Sequence, residues 1–316
     1  MSMTAPCFLF PGQGSQTLGM AKTFYDESKE VKDLFAEASD ISKYDIAKLC
    51  FSGPMEVLTE TKHLQPAMTT AVLACYYGIR DFDVIPSYVA GHSLGEYAAL
   101  AAAEVIDVSD CLKLVTARGR LMQEQAEINQ GAMTAIVKVK PEPAVELVNK
   151  IAQSKPLLIA NYNSPKQLVA SGSVDAIEQL EKEIRTLGGR CIRLNVSGAW
   201  HSPLMKAAVE PLAEVIEQVE FNNAKIPIAL NVTGSIESDG ATIKKRMKDQ
   251  MYSSVRWYQG IHEIWKKGVR VYIEIGPKGV LTKMMKAISP DPVNMQALFI
   301  DSVSALDSFL HAEEEY

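Results

Sequence analysis

The sequence lacks a surplus of positive charge and any long apolar run. Its 316 residues carry 32 Lys and Arg against 38 Asp and Glu, a formal net charge of −6 at pH 7. Binding to a nucleic-acid backbone needs basic side chains that release counterions, so we expect no nucleic-acid partner. No stretch approaches the roughly 18 apolar residues of a membrane span, and the N-terminus has no charged region followed by an apolar one. We therefore expect neither membrane insertion nor secretion.

Cysteine is scarce, and its spacing shows no pairing motif. The five cysteines are odd in number, scattered and free of any C-x-x-C pair: Cys7, Cys50, Cys75, Cys111 and Cys191. Apolar residues surround each of them, which is typical of buried free thiols in a reducing compartment. This pattern predicts a cytoplasmic protein.

Short apolar runs alternate with stretches of helical period, as expected for helices that cover a mostly parallel sheet. The predicted strands are Cys7–Phe10, Tyr88–Ala90, Ile226–Leu230, Val269–Ile275 and Ala297–Ile300. The clearest predicted helices are Leu64–Phe82, Leu94–Ala103, Ser109–Ala126, Leu204–Val219 and Val255–Lys267. The fold class is therefore α/β.

The middle of the chain has a different order, βαββαβ, which is the ferredoxin-like arrangement. Its predicted elements are Ala132–Val139, Glu142–Gln153, Leu157–Asn161, Gln167–Ser171, Asp175–Leu187 and Cys191–Val196. This order predicts a small subdomain at 131–197, inserted into a large domain formed by 1–130 and 198–316. A junction of two domains makes a cleft, where ligands usually bind.

Ser93 is a candidate nucleophile because it lies in Gly91-His92-Ser93-Leu94-Gly95, between a predicted strand and a predicted helix. In a G-x-S-x-G elbow the chain turns sharply, the glycines avoid crowding and the serine oxygen projects outward. The N–H groups at the start of the helix can stabilise an oxyanion. The alternative is a glycine-bounded turn in which the serine caps the helix.

A nucleophilic serine needs a base, and His201 is the best placed of the five histidines. It lies in Ser197-Gly-Ala-Trp-His-Ser-Pro203, a loop between the predicted subdomain and a predicted helix. His92 is adjacent to Ser93, but neighbouring residues at such a turn point in different directions, so we expect His92 to support the loop. The alternative for His201 is a surface or helix-capping side chain.

Arg118 interrupts an apolar stripe. On the helix Ser109–Ala126, the stripe consists of Cys111, Leu114, Val115, Leu121 and Met122, and Arg118 falls in its middle. A buried guanidinium needs a partner, which is either a protein carboxylate or the carboxylate of a ligand. A structural salt bridge and a side chain that reaches out to solvent are the alternatives.

Several motifs in register identify a family resemblance. They are Gly12-Gln13-Gly14-Ser15-Gln16, Gly91-His-Ser-Leu-Gly-Glu-Tyr97, Gly198-Ala-Trp-His-Ser202 and Asn231-Val-Thr-Gly234. In this order and spacing the chain, from Phe8 to about Met285, resembles the malonyl-CoA:acyl carrier protein transacylases, which are related to the acyltransferase domains of fatty-acid and polyketide synthases. The resemblance implies a hydrolase-like core.

The resemblance also implies roles for single residues. It makes Ser93 the nucleophile and His201 the general base and acid, oriented by a main-chain carbonyl near Gln250. The N–H groups of Gln13 and Leu94 would form the oxyanion hole. Arg118, which lies 25 residues after Ser93, would hold the free carboxylate of malonate. The substrate-binding set that it implies is Arg118, His92, Gln250 and Trp200.

The implied reaction moves a malonyl group from coenzyme A through a malonyl-serine to the pantetheine thiol of an acyl carrier protein. It implies malonyl-CoA and acyl carrier protein as partners, no metal, no cofactor and a monomer. The alternatives are an acyltransferase of a polyketide synthase with the same chemistry, a serine thioesterase or hydrolase, and an inactive scaffold that binds carrier proteins. The basic residues proposed to meet an acidic carrier are Lys182, Arg185, Arg190 and Arg193.

Two positions depart from the family pattern. Trp200 stands where the malonyl-selective pattern usually has Phe, which keeps a large aromatic side chain but leaves the choice of acyl unit open. In Gly276-Pro-Lys-Gly-Val-Leu281 a lysine and a glycine are transposed relative to the usual Gly-Pro-Gly-Lys. We expect the transposition to alter the geometry of that loop and not the chemistry.

Overall fold

A computed structural model describes residues 5–82 and 84–314, with side chains as far as residue 311. The strands are β1 (Cys7–Phe10), β2 (Tyr88–Gly91), β3 (Gly131–Val137), β4 (Leu157–Ser164), β5 (Gln167–Ser173), β6 (Arg190–Arg193), β7 (Ile228–Ala229), β8 (Ile236–Glu237), β9 (Val271–Ile275) and β10 (Gln296–Ile300). They form two separate sheets, one large and one small.

Helices cover both sheets. The α-helices are α1 (Lys22–Glu27), α2 (Lys29–Ser42), α3 (Ile46–Ser52), α4 (Met55–Leu58), α5 (Thr61–Arg80), α6 (Gly95–Ala102), α7 (Val108–Ile128), α8 (Pro141–Ala152), α9 (Val174–Thr186), α10 (Val209–Glu217), α11 (Gly240–Asp249), α12 (Trp257–Lys266), α13 (Val280–Ile288) and α14 (Val303–Glu314). Three short 3₁₀ helices are Pro203–Ala208, Gln250–Tyr252 and Pro277–Gly279.

The large sheet has the order β10-β9-β1-β2-β7-β8, and its strand pairs are parallel except the pair β7 and β8. All four residues of β1 are fully buried, because helices cover both faces of a parallel sheet. The prediction of a mostly parallel sheet flanked by helices is confirmed. The predicted run Ile226–Leu230 shortens to β7, since Pro227 has no N–H to donate within a ladder.

One predicted helix was wrong in its form. In place of a continuous helix over Leu204–Val219, the chain makes the 3₁₀ helix Pro203–Ala208 and then α10. Pro211 lies in the first turn of α10 and cannot donate to the carbonyl of Ala207 four residues earlier. The preceding segment therefore closes tighter 3₁₀ turns, and the side chain of Ser202 caps it by accepting from the Leu204 N–H at 3.2 Å.

The small sheet is antiparallel, with the order β4-β5-β3-β6. Together with α8 and α9 it follows the predicted βαββαβ order, and it has its own apolar core, which includes Val148, Leu168 and Leu180. The division of the chain at 130/131 and 197/198 stays a prediction. A bridge between Asn161 of β4 and Val255 ties the small sheet to the segment that precedes α12, and the Tyr162 N–H donates to the Val255 carbonyl at 2.9 Å.

All five cysteines are free thiols. Four are buried, as expected, but Cys191 is half-exposed because β6 is a short strand at the edge of the small sheet. In the described part of the chain, no helix combines the length and apolar character that crossing a bilayer requires. The same residues contain no group of three or more His, Cys, Asp or Glu side chains placed to hold a metal ion.

Candidate active site

Ser93 occupies a strained turn between β2 and α6. Its φ of 53° lies in the left-handed region that residues with a side chain rarely adopt. A Cβ at Gly91 would lie 2.1 Å from the carbonyl carbon of Gly95, and a Cβ at Gly95 would lie 1.9 Å from the Phe10 carbonyl oxygen. Only glycine fits at either position, so the backbone can turn here and present the serine oxygen. This is the geometry expected of a nucleophile elbow.

His201 contacts the serine directly. The distance between Ser93 Oγ and His201 Nε2 is 2.7 Å. His201 Nδ1 lies 3.0 Å from the carbonyl oxygens of both Gln250 and Ser253. A carbonyl can only accept, so Nδ1 must carry the proton and donate it, which leaves Nε2 unprotonated. Ser93 Oγ–H therefore donates to Nε2, as a serine does to a general base.

The charge state of His201 follows from its surroundings. The side chain is buried, and burial lowers its pKa to about 3, with the positive charge of Arg118 and the proximity of His92 acting in the same direction. The two carbonyls oppose this shift only partly. The imidazole is therefore neutral at pH 7 and able to accept a proton.

Arg118 of α7 meets the same serine. Its side chain is only 1% exposed, and Nη2 donates to Ser93 Oγ at 3.3 Å and to Gln250 Oε1 at 3.1 Å. The guanidinium also lies 5.6 Å from the centre of the Tyr97 ring. Burial lowers the pKa of Arg118. In the described structure Arg118 forms no ion pair, and its Nε is buried without a hydrogen-bond partner. The guanidinium thus keeps a donor for an anion.

A second layer of polar groups holds the elbow, and sequence reasoning missed two of its members. Asn231 Oδ1 accepts from the Ser93 N–H at 2.7 Å, and Asn231 Nδ2 donates to the Gly91 carbonyl at 2.7 Å. Glu96 accepts from the Asn231 N–H at 2.8 Å and from Gln250 Nε2 at 2.9 Å. Gln250 Nε2 also donates to the Ser93 carbonyl at 2.8 Å. Burial raises the pKa of Glu96 to about 7.

Glu96 could have been found by the argument that found Arg118. It is the only charged residue in the run of α6, Gly95–Ala102, whose other residues are apolar, glycine or tyrosine. A carboxylate on a buried helix needs partners, so this pattern predicts a polar network. The identity of the partners, Asn231 and Gln250, is a matter of tertiary structure.

Gln13 and Leu94 lie where the loop after β1 meets the elbow. A Cβ at Gly12 would be 2.5 Å from the His92 carbonyl oxygen and 3.4 Å from the Leu94 nitrogen, so the two backbones are in close approach. Within the described residues, neither the Gln13 nor the Leu94 N–H donates to another protein group. Both remain available to a ligand, and Leu94 immediately precedes α6.

Ser93 and His201 open into a cavity of about 420 Å³ between the two sheets. The large part contributes Gln13, His92 and Trp200, and the small sheet contributes Met133, Asn161, Asn163, Gln167 and Val169. Trp200 is almost fully buried, with its indole N–H unpaired in the described structure. His92 Nε2 donates to Asn163 Oδ1 at 2.9 Å and so connects the elbow to the small sheet. In the described structure, the His92 side chain makes no hydrogen bond to Ser93.

The remaining sequence candidates lie elsewhere. Lys182 and Arg185 lie in a separate depression on α9 together with three acidic residues, and Arg193 pairs with Glu181 at 3.0 Å. None of the four basic residues proposed for docking, including Arg190, lines the catalytic cavity. In the transposed loop, Lys278 takes a φ of 71°, a value that glycine adopts freely.

Comparisons with known proteins can now be set beside this geometry. The acyl transferase domain family matches residues 7–297. A malonyl CoA-acyl carrier protein transacylase of Bacillus subtilis (strain 168) is 37% identical over 289 residues, which is 91% of each chain.

Solved structures agree. An acyl carrier protein S-malonyltransferase from Vibrio cholerae matches with a TM-score of 0.92 and 37% identity, over 97% of this chain and 100% of the other. A malonyl-transacylase in complex with a type II PKS acyl-carrier protein matches with a TM-score of 0.91 and 36% identity, over 98% and 100%. With matches along nearly its whole length, the chain belongs to the acyl transferase family, among the malonyl CoA-acyl carrier protein transacylases.

Proposed function

We propose that this chain moves a malonyl group from coenzyme A to the pantetheine thiol of an acyl carrier protein, with Ser93 as the intermediate carrier. One observation carries the proposal: Ser93 Oγ, in the wall of the catalytic cavity, lies 2.7 Å from an unprotonated His201 Nε2 and 3.3 Å from Arg118 Nη2. A base and a fixed cation thus meet at one hydroxyl.

In the first step, His201 Nε2 accepts the Ser93 proton while Oγ attacks the thioester carbonyl of malonyl-CoA. The carbonyl oxygen becomes an oxyanion, which the N–H groups of Gln13 and Leu94, free of protein partners within the described residues, would stabilise. When the C–S bond breaks, His201 returns the proton to the leaving sulfur of coenzyme A. The product is a malonyl ester of Ser93.

The second step runs in reverse with a different thiol. The pantetheine thiol of the carrier protein gives its proton to His201 and attacks the malonyl-serine carbonyl. The same two N–H groups stabilise the second oxyanion, and the proton returns to Ser93 Oγ when the ester bond breaks. One base is enough, because Nε2 moves a proton from Ser93 to coenzyme A in the first step and another from the carrier thiol to Ser93 in the second.

Arg118 explains the preference for a malonyl group. In a malonyl ester, one methylene separates the reacting carbonyl from the free carboxylate, so this carboxylate lies close to Oγ. The guanidinium that contacts Oγ is within reach of it and has an unpaired buried Nε–H. A guanidinium binds a carboxylate through two parallel hydrogen bonds, which the point charge of a lysine cannot do.

His201 works without a carboxylate partner. Its Nδ1–H donates to two carbonyl dipoles, which orient the ring and partly stabilise the imidazolium of the transition state. The adjacent Arg118 charge opposes long-lived protonation, so the proton passes on to the leaving thiol. The mostly apolar lining of the cavity also favours an arriving thiol over water as acceptor.

The experiment is intact-mass measurement after mixing with malonyl-CoA, followed by addition of a holo carrier protein. We expect a malonyl adduct that disappears as malonyl-carrier forms. Ser93→Ala should abolish the adduct, whereas Ser15→Ala, a second serine in the same cavity without contact to His201, should retain it. Release of free malonate as fast as malonyl groups are transferred to the carrier protein would indicate a hydrolase. Absence of both adduct and malonate would indicate an inactive binding protein.

The carrier itself distinguishes two pathways with the same chemistry. Fatty-acid synthesis and polyketide synthesis are the two candidate settings, because the name of the Bacillus subtilis relative specifies transfer to acyl carrier protein and no pathway. One structural relative was solved with a type II PKS carrier, so a panel of both carrier classes is the appropriate test. The monomeric state and the cytoplasmic location stay predictions.

A further inference from the structure

A second cavity, of about 730 Å³, adjoins the catalytic one. Gln167, Lys283 and Met284 line both cavities, so the two are directly adjacent. Three segments form its walls: 137–141 at the end of β3, the turn 164–167 between β4 and β5, and one face of α13. A molecule whose reactive end reaches Ser93 can therefore leave its other end in this second cavity.

Four lysines surround this space: Lys138, Lys140, Lys166 and Lys283. All four are exposed, and no Asp or Glu lines the cavity. Within the described residues none of them forms an ion pair, and Lys283 Nζ donates only to the Lys278 carbonyl, at 3.1 Å. We call these four residues the lysine pocket.

This charge pattern is unusual for the chain, which has a formal net charge of −6. The depression on α9 shows the ordinary arrangement, because Lys155, Lys182 and Arg185 lie there among Asp175, Glu178 and Glu181, and Lys155 pairs with Asp175 at 2.9 Å. In the lysine pocket four like charges converge without compensation. Such a site attracts an anion that carries several charges.

The rest of the lining is apolar and includes Val137, Val139, Pro141, Pro165 and Met284. A ligand that suits both parts combines a flat apolar group with several phosphates. The volume of about 730 Å³ lies in the usual range of small-molecule sites.

We propose that the lysine pocket binds the nucleotide end of the coenzyme A donor. The lysines contact its pyrophosphate and 3′-phosphate, and the apolar lining contacts the adenine ring. This inference rests on the proposed function, because it assigns a position to the part of the donor that does not react. The pocket then contributes to donor affinity and not to the chemical step, since it touches no reacting atom.

The test uses the triple variant Lys138→Gln, Lys140→Gln, Lys166→Gln, which leaves Lys283 at the catalytic cavity unchanged. The control is Lys29→Gln with Lys32→Gln on α2, two lysines that line neither cavity. Serine malonylation is measured at low ionic strength with three donors: malonyl-CoA, malonyl-3′-dephospho-CoA and malonyl-pantetheine, which has no nucleotide. The KM for the holo carrier protein is measured in the second half-reaction.

For the triple variant we expect the KM for malonyl-CoA to rise roughly tenfold, because exposed ion pairs each contribute modestly and three are removed. The KM for the dephospho donor should rise less, and that for malonyl-pantetheine should change less than about twofold, with kcat preserved for all three. In the parent, added salt should weaken malonyl-CoA binding far more than malonyl-pantetheine binding. The control should match the parent.

An equal rise for malonyl-pantetheine would overturn the proposal, because the lysines would then act on the catalytic cavity or the fold. A rise in the KM for the carrier protein with none for malonyl-CoA would also overturn it and assign the pocket to carrier docking. Failure of the proposed function is a separate result: the parent would then form no malonyl-serine adduct with any of the three donors.

Discussion

The replacement of Arg118 by alanine tests most directly why the acyl group carries a carboxylate. Two charge-assisted hydrogen bonds from the guanidinium to that carboxylate would each contribute about 1.5–3 kcal/mol in a buried site. Their loss amounts to about 3–6 kcal/mol, which is a fall of roughly 10²–10⁴ in kcat/KM for malonyl-CoA. Acetyl-CoA has no free carboxylate and loses neither bond. Its rate should fall only through the loss of the contacts that Arg118 makes with Ser93 and Gln250.

The assay is competition between malonyl-CoA and acetyl-CoA for the serine, with both acyl adducts quantified by intact mass. The ratio of the two adducts cancels any loss that is common to both donors, including partial misfolding. Arg120→Ala is the matched control, since Arg120 lies one half-turn along the same helix, is exposed and pairs with Glu124 at 2.7 Å. Arg118→Lys should give an intermediate ratio. If Arg118→Ala prefers malonyl over acetyl as strongly as the parent, Arg118 does not bind the carboxylate.

Three further outcomes follow from the structure. Because the pKa of His201 is lowered to about 3, its Nε2 stays unprotonated as the pH falls below 6.5, and a pH–rate profile of malonylation should show kcat/KM falling only well below that value. In Arg118→Ala the acid limb of this profile should move to higher pH, because the positive charge that lowers the pKa of His201 is gone. Glu96→Ala leaves the Asn231 N–H and one Gln250 Nε2–H without an acceptor and should lower the free energy of unfolding by about 2–6 kcal/mol in a denaturant titration. Glu96→Gln retains one acceptor and should lower it by about half as much, whereas equal stability of the parent and both variants would contradict the network. Lys278→Gly removes a side chain from a φ of 71° and should raise the same free energy by about 1 kcal/mol, and a loss of stability would show that the lysine is not strained.

Much of the fold could be predicted because its signals are local. The buried strand β1 has the bounds predicted from its apolar run, and the small sheet has the predicted order of strands and helices. The prediction of one helix over Leu204–Val219 was wrong, because Pro211 has no N–H to donate and the periodicity of apolar residues carries no information on backbone donors. The end of an edge strand was also predicted wrongly. β6 ends at Arg193, three residues before its predicted end, because no strand of the described structure pairs with its outer side.

The candidate site was predicted unevenly. Ser93, His201 and Arg118 each break a local pattern, as an elbow, a loop histidine or a charge in an apolar stripe, and the structure brings all three together. Lys182 and Arg185 were predicted from their charge alone. The sequence does not show that acidic side chains lie beside them in the fold and offset their positive charge. The lysine pocket could not be predicted from the sequence, because its members come from three segments that are far apart in the chain.

The sequence by itself determined which residues are chemically exceptional: a serine between two glycines at a strand-to-helix turn, and an arginine and a glutamate on helices that are otherwise apolar on one face. These features can be recognised locally, because backbone geometry at a glycine and the cost of burying a charge depend on the residue type. Only the tertiary structure decided that Nδ1 of His201 faces two carbonyls and that its Nε2 is therefore the base. Hydrogen bonds and charge pairs join residues far apart in the chain, and their distances are set by packing.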